Sequence, residues 1–174
     1  MSRIRWIHFS DLHLNLTGTE TKRLRENLLE YLDTIVGKID YAFFTGDIRH
    51  APSGDFPSNA GKEIENICNA IGFPEKRLFI VPGNHDIDRN CSKKNKVINR
   101  MLSGENRYKS EDGIILEKDI VCLCKAKKSF YKFVDGVDSK WIYKEQLTDT
   151  RNPHFLIITD DFNVIHIDST LFYS

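Results

Sequence analysis

Apolar positions in the first half of the chain alternate between a strand-like and a helix-like period, and the changes of period mark the elements. Ile4-Arg5-Trp6-Ile7-His8-Phe9 reads as a short strand. A loop from Ser10 to Gly18 follows, with Thr17 and Glu20 at capping-box spacing. Leu24, Leu28, Leu29, Leu32, Ile35 and Val36 then recur at three- and four-residue steps, which predicts an amphipathic helix stopped by Gly37. Asp40 to Thr45 is a second strand, apolar enough for burial on both faces. Ser58 is placed to cap a second helix with Ile64, Ile67, Cys68 and Ile71 on one face, ended by Gly72 and Pro74. Leu78-Phe79-Ile80-Val81 is a third strand, closed by Pro82-Gly83.

Strand, helix, strand, helix, strand predicts a parallel α/β sheet. Right-handed crossovers place the C-terminal ends of the three strands along one edge, where ligands collect in such sheets. The second half is less regular. Ser92 to Leu102 reads as a short helix and Ser103 to Gly113 as a polar loop. Ile120 to Val134 reads as a helix with Leu123, Ala126, Phe130, Phe133 and Val134 inward, and with Lys125, Lys127, Lys128 and Lys132 outward. Phe155 to Ile158 and Val164 to Ile167 read as two strands joined by a turn at Asp160 to Asn163.

Composition bounds the answer. The 174 residues are 40% hydrophobic and 29% charged, the balance of a folded domain rather than a disordered tail. One domain over residues 1–174 is expected. Lys+Arg 25 against Asp+Glu 25 gives no net charge, so an overall field does not recruit polyanions, and any nucleic-acid role needs a local site. Cys68, Cys91, Cys122 and Cys124 lack zinc-ribbon or disulfide-scaffold spacing and read as reduced thiols, with Cys68 in a core. No apolar run approaches the roughly 18 residues of a membrane span. The apolar stretch in Met1 to Ser10 is interrupted by Asp11 and His13 before a signal peptide is complete. A cytoplasmic location is the expectation, with no membrane partner.

The polar residues that close the strands are unusual. Strand one ends in Ser10-Asp11-Leu12-His13, strand two in Gly46-Asp47, strand three in Gly83-Asn84-His85-Asp86. All three groups fall on one predicted edge. Carboxylates, imidazoles and an amide oxygen form a donor set suited to Mn²⁺, Fe or Zn²⁺ rather than to Ca²⁺ alone. Gly46 and Gly83 allow the sharp turns that would bring the following side chains to that edge. Asp-x-His alone is weak evidence, and Gly-Asp alone commonly marks a turn. The conjunction of three motifs, in order, each at a strand end, carries the inference.

In these motifs the chain resembles the calcineurin-like metallophosphoesterases. That family's pattern is D-x-H, G-D, G-N-H-D/E, a later His and G-H-x-H. Asp11-Leu12-His13, Gly46-Asp47 and Gly83-Asn84-His85-Asp86 match the first three blocks, and the resemblance is strong over residues 4 to 90. It implies an α/β fold of the family's sandwich type (αββα), with this chain covering its first half. It implies that Asp11 and His13 bind one metal, that Asp47 bridges two, and that Asn84 binds the second. His85 would stand beside the metals and protonate the leaving oxygen. The cofactor implied is a pair of divalent ions about 3.5–4 Å apart that share a hydroxide. Mn²⁺ is the first expectation, with Fe, Zn²⁺ or Ni²⁺ as alternatives.

The departures are as informative. The later His and G-H-x-H blocks have no counterpart, since His154 and His166 lack that context and read as structural imidazoles. Each metal therefore lacks part of the family's ligand set. Many relatives carry an Asp three positions after the Gly-Asp aspartate to orient the catalytic His, and here that position is His50. The basic run Arg89, Lys93, Lys94, Lys96 and Arg100 reads as a solvated helix face, and Arg49 is a candidate phosphate-steering group. The expectation is a phosphoester hydrolase, acting as a phosphodiesterase on a nucleotide or nucleic acid, with this chain supplying part of the site. It would be the N-terminal piece of a longer enzyme, with self-association through an uncovered end. The alternative is a non-catalytic or partner-complemented module.

Overall fold

A computed structural model describes residues 3–50, 55–72, 74–93, 96, 99, 103, 124–143 and 154–170. Three parallel strands form the central sheet in the order β1 (Trp6–Phe9), β2 (Tyr41–Thr45), β3 (Leu78–Val81). Register pairs Phe9 with Phe44, and Thr45 with Val81, so the three strand ends lie side by side. Leu78 also bridges to Ile142 in parallel, and the Leu78 N–H donates to the Trp141 carbonyl at 3.0 Å.

Alternation along the strands divides the interior in two. Phe9, Ala42, Phe44, Leu78 and Ile80 face one side. There they join Leu32 of α1 (Thr19–Asp33), with Ile64, Ile67, Cys68 and Ile71 of α2 (Ala60–Ile71). Tyr41 and Phe79 face the other side and pack with Ile157, Phe162 and Val164. Those residues belong to or join the antiparallel hairpin of β4 (Phe155–Ile158) and β5 (Asn163–His166). The Tyr41 hydroxyl and the Arg77 guanidinium both donate to Asp161 in the turn, which fastens the hairpin to the sheet. The opposite face of the hairpin carries Leu156, Ile158, Ile165 and Ile167, all exposed.

The helices begin and end differently from the sequence pattern. Gly18, not Thr17, occupies the cap of α1, so the Thr17–Glu20 pair is one residue out of register and no capping box forms. Asn59, not Ser58, precedes α2, and its amide donates to Glu63 instead of accepting a backbone N–H. Gly72 ends α2 as expected, in a left-handed conformation with its N–H on the Cys68 carbonyl. Among its described residues, the helix expected over Ile120 to Val134 is a 3₁₀ turn (Lys125–Lys127) followed by α4 (Lys128–Asp135). Ala126, Phe130, Phe133 and Val134 are buried as expected, but so is Lys127. Lys127 lies three residues before Phe130 and seven before Val134, so helical spacing itself places it on the inward face with them. Its ammonium meets the Asp168 carboxylate. A short α3 (Arg89–Lys93) opens the basic run. The rest of that run lies almost entirely outside the described residues, as do the loop after Ser103, Cys122 and Leu123. Among the described residues, no helix is long and apolar enough to cross a membrane.

Candidate metal centre

The backbone itself is distorted where the chemistry was expected. Among the described residues, four non-glycine residues have positive φ: Asp11 (56°), His13 (47°), Asp47 (53°) and Lys76 (56°). Three of these four are residues singled out as metal ligands. Left-handed backbone costs energy for residues with a Cβ, and it clusters at functional sites where surrounding structure enforces it.

The enforcing contacts are visible. Asp11 N–H donates to the Gly46 carbonyl at 3.2 Å, His13 N–H to Asp47 at 3.1 Å and Leu14 N–H to Ile48 at 2.7 Å. The first turn is thus zipped to the second. From α1, Arg25 donates to the carbonyls of His13 and Leu16 and holds the turn from outside. Asp47 Oδ1 accepts the His85 N–H at 3.0 Å, which ties the second turn to the third. Gly46 and Gly83 press together: a Cβ on Gly46 would lie 2.4 Å from Gly83 Cα. A Cβ on Gly83 would lie 2.3 Å from Asp47 Oδ1.

Behind the rim sits a lock that the sequence reading did not anticipate. Asp86 is fully buried, and its carboxylate accepts the N–H groups of Gly83 (2.9 Å), Arg49 (3.0 Å) and Ile48 (3.3 Å). Burial pushes its carboxyl above the usual carboxylate value, and the three N–H groups pull it back. Arg49 is 1% exposed and faces inward, so it cannot steer substrate. Its Nε donates to the His85 carbonyl at 2.9 Å, and its guanidinium covers the Phe56 ring. Burial lowers its pKa, and Asp86 opposes that most strongly.

Asp11, Asp47 and Asn84 line one cavity of about 450 Å³, together with Thr45, Gly46, Pro82, Gly83, Ser169 and Thr170. His13 and His85 border that rim. His13 Nε2 is 3.8 Å from Asp11 Oδ1, and the His13 and His85 rings are 5.9 Å apart. His50 completes a group of three imidazoles, 4.9 Å from His13 and stacked at 5.7 Å on His85. The carbonyl of His50 receives His85 Nδ1–H at 2.5 Å. A backbone oxygen, rather than a carboxylate, therefore orients the His85 ring.

The donors suit a divalent cation in type, and the two glycines keep the cradle open. Among the described residues, no three His, Cys, Asp or Glu side chains converge closely enough to form a cation site by themselves. The later histidines are elsewhere. His166 is buried and bonded to the Ile80 carbonyl at 3.2 Å, and His154 Nδ1 accepts the Asp168 N–H. Ser169 and Thr170 were missed by motif reading. Their signal was available, because Asp168-Ser169-Thr170 follows a strand just as the other three groups do.

The parallel sheet, its three strand-end motifs and their shared rim define a phosphoesterase scaffold. The chain belongs to the calcineurin-like phosphoesterase family, whose model matches residues 4–166. It is similar to the uncharacterized metallophosphoesterase-like protein YydB of Bacillus subtilis (strain 168), with 27% identity over 172 residues. That alignment covers 97% of this chain and 34% of YydB, so the chain spans about a third of its relative's length. No solved structure matches the chain.

Proposed function

We propose that these residues form the larger part of a two-metal centre that hydrolyses phosphodiesters, with a nucleotide or nucleic acid as substrate. Membership of the family supports metal-dependent phosphoester hydrolysis; the substrate class and the two-ion centre are our reading. The observation that carries it is the enforced left-handed backbone at Asp11, His13 and Asp47, beside a cavity lined by Asp11, Asp47 and Asn84, with the His85 N–H bonded to Asp47. Asp11, His13, Asp47 and Asn84 would hold the ions, Mn²⁺ first and Fe, Zn²⁺ or Ni²⁺ as alternatives. Bound, the ions would offset phosphoryl charge and lower the pKa of a water nucleophile.

The protein's own groups do the rest. His85 gives Nδ1–H to the His50 carbonyl. That leaves Nε2 as the nitrogen that delivers a proton to the leaving oxygen. The Asp47–His85 backbone bond keeps carboxylate and imidazole in fixed relation. The zipped turns resist collapse when like charges gather at the rim. Further donors, corresponding to the family's later His and G-H-x-H, would come from outside these 174 residues.

Metal analysis by inductively coupled plasma, paired with Mn²⁺-dependent hydrolysis of bis-p-nitrophenyl phosphate, tests this. Weak metal binding and little turnover, both abolished by Asp47→Asn, are the expected result for this chain alone. A metal-free, inert chain would make it a non-catalytic module. Activity that appears only above a threshold concentration would assign the missing donors to a second chain.

A further inference from the structure

The Lys127–Asp168 pair is the most deeply buried ion pair among the described residues, with both side chains 1% exposed. Nothing in the metal chemistry above uses it. Its position explains its presence. Asp168 Oδ2 takes the Lys127 ammonium, while Oδ1 accepts both the N–H (2.9 Å) and the hydroxyl (2.7 Å) of Thr170. The Asp168 N–H is held in turn by His154 Nδ1 at 3.0 Å. The turn at residues 168–170 is therefore fixed from three directions, and Ser169 and Thr170 line the cavity of Asp11, Asp47 and Asn84.

The same 3₁₀ turn braces the third motif. The Ala126 carbonyl accepts the Asp88 N–H at 2.8 Å, three residues beyond His85. Asp88 in turn receives the Asn90 and Cys91 N–H groups at the start of α3. One short element thus sets the distance between the Asn84–His85 turn and the Ser169 turn. Burial pushes the Lys127 ammonium down and Asp168 opposes this. The Thr170 hydroxyl is committed to Asp168. Ser169 is exposed, and its hydroxyl makes no hydrogen bond among the described residues.

We propose that Ser169 is a further phosphate-contacting residue of the cavity, its hydroxyl donating to a non-bridging phosphoryl oxygen, and that the Lys127–Asp168 pair positions it. The proposal rests on the phosphoesterase reading of the site. It assigns a fourth strand end to that site, one without a metal ligand.

Inorganic phosphate binding to the chain in saturating Mn²⁺, measured by calorimetry, is the test, with Mn²⁺ binding followed separately by electron paramagnetic resonance. Ser169→Ala should weaken phosphate binding about tenfold, the scale of one hydrogen bond to a charged group, with Mn²⁺ affinity unchanged. Ser169→Thr should restore most of it. Lys127→Met with Asp168→Asn removes both charges and keeps an acceptor for Thr170. This double variant should lose as much phosphate affinity as Ser169→Ala, and adding Ser169→Ala to it should cost nothing more. Ser169→Ala is at an exposed position, so it keeps the test decisive if the charge-removed variant does not fold. Unchanged phosphate affinity in Ser169→Ala overturns the proposal and leaves the metal centre standing. Failure of the wild-type chain to bind Mn²⁺ overturns both.

Discussion

His85 donates Nδ1–H to the carbonyl of His50 at 2.5 Å, so its tautomer is set by backbone, not by a neighbouring carboxylate. Nitrogen-15 correlation spectra of the metal-free chain should show neutral His85 protonated at Nδ1. The Nε2–H tautomer would break the assignment of Nε2 as the proton-delivering nitrogen.

The glycine contact between the second and third turns sets the cradle. Gly83→Ala would push a methyl to 2.3 Å from Asp47 Oδ1, and Gly46→Ala adds a Cβ at φ +102°. Either change should cost about 3 kcal/mol from overpacking and backbone strain. Urea unfolding should show the loss, and Mn²⁺ affinity should fall with it. A stable variant with unchanged Mn²⁺ affinity would mean that the turns are free to separate.

Asp86 holds three backbone N–H groups from two turns. Asp86→Ala leaves those donors buried without their acceptor and should destabilise the chain by about 3 kcal/mol. A shift of less than about 0.5 kcal/mol in the urea unfolding free energy, the scale of an ordinary surface change, would show that the lock is dispensable.

Cys68 sits in the helix-side core, and burial pushes its thiol from 9.0 to about 12. A raised pKa in the folded state favours the protonated thiol there. Its contribution to stability is full below pH 9.0 and is lost as pH rises through about 12. The native chain should resist iodoacetamide at Cys68, and unfolding in urea should expose it. The alkaline loss of stability should be shallower in Cys68→Ala than in wild type, and equal slopes would contradict the shift.

Much of the site was legible because each strand is a short apolar run that stops at a polar group. Parallel order then forces Asp11, Asp47 and Asn84 to one edge. Asp168-Ser169-Thr170 also follows an apolar strand, but that strand belongs to an antiparallel hairpin, so parallel order did not place it at the same edge, and it carries no metal-ligand pattern. Lys127 shares the inward face with Phe130 and Val134 at helical spacing, but its charge argued for solvent, and the partner that permits its burial, Asp168, lies 41 residues away in sequence. Arg49 looked like a surface cation because charge is usually exposed. Its burial depends on partners from sequence-distant turns, the carbonyl of His85 above all. The missed capping box fails by one residue, a difference fixed by where Gly18 leaves the extended conformation.

The central claim is that Asp11, Asp47 and Asn84 converge to hold cations. Paramagnetic broadening of backbone amide signals on Mn²⁺ titration tests it most directly. Signals from the turns at Asp11, Asp47 and Asn84 should vanish first, and Asp47→Asn should abolish that selectivity. Broadening spread evenly over the chain, centred elsewhere, or identical in Asp47→Asn would contradict it.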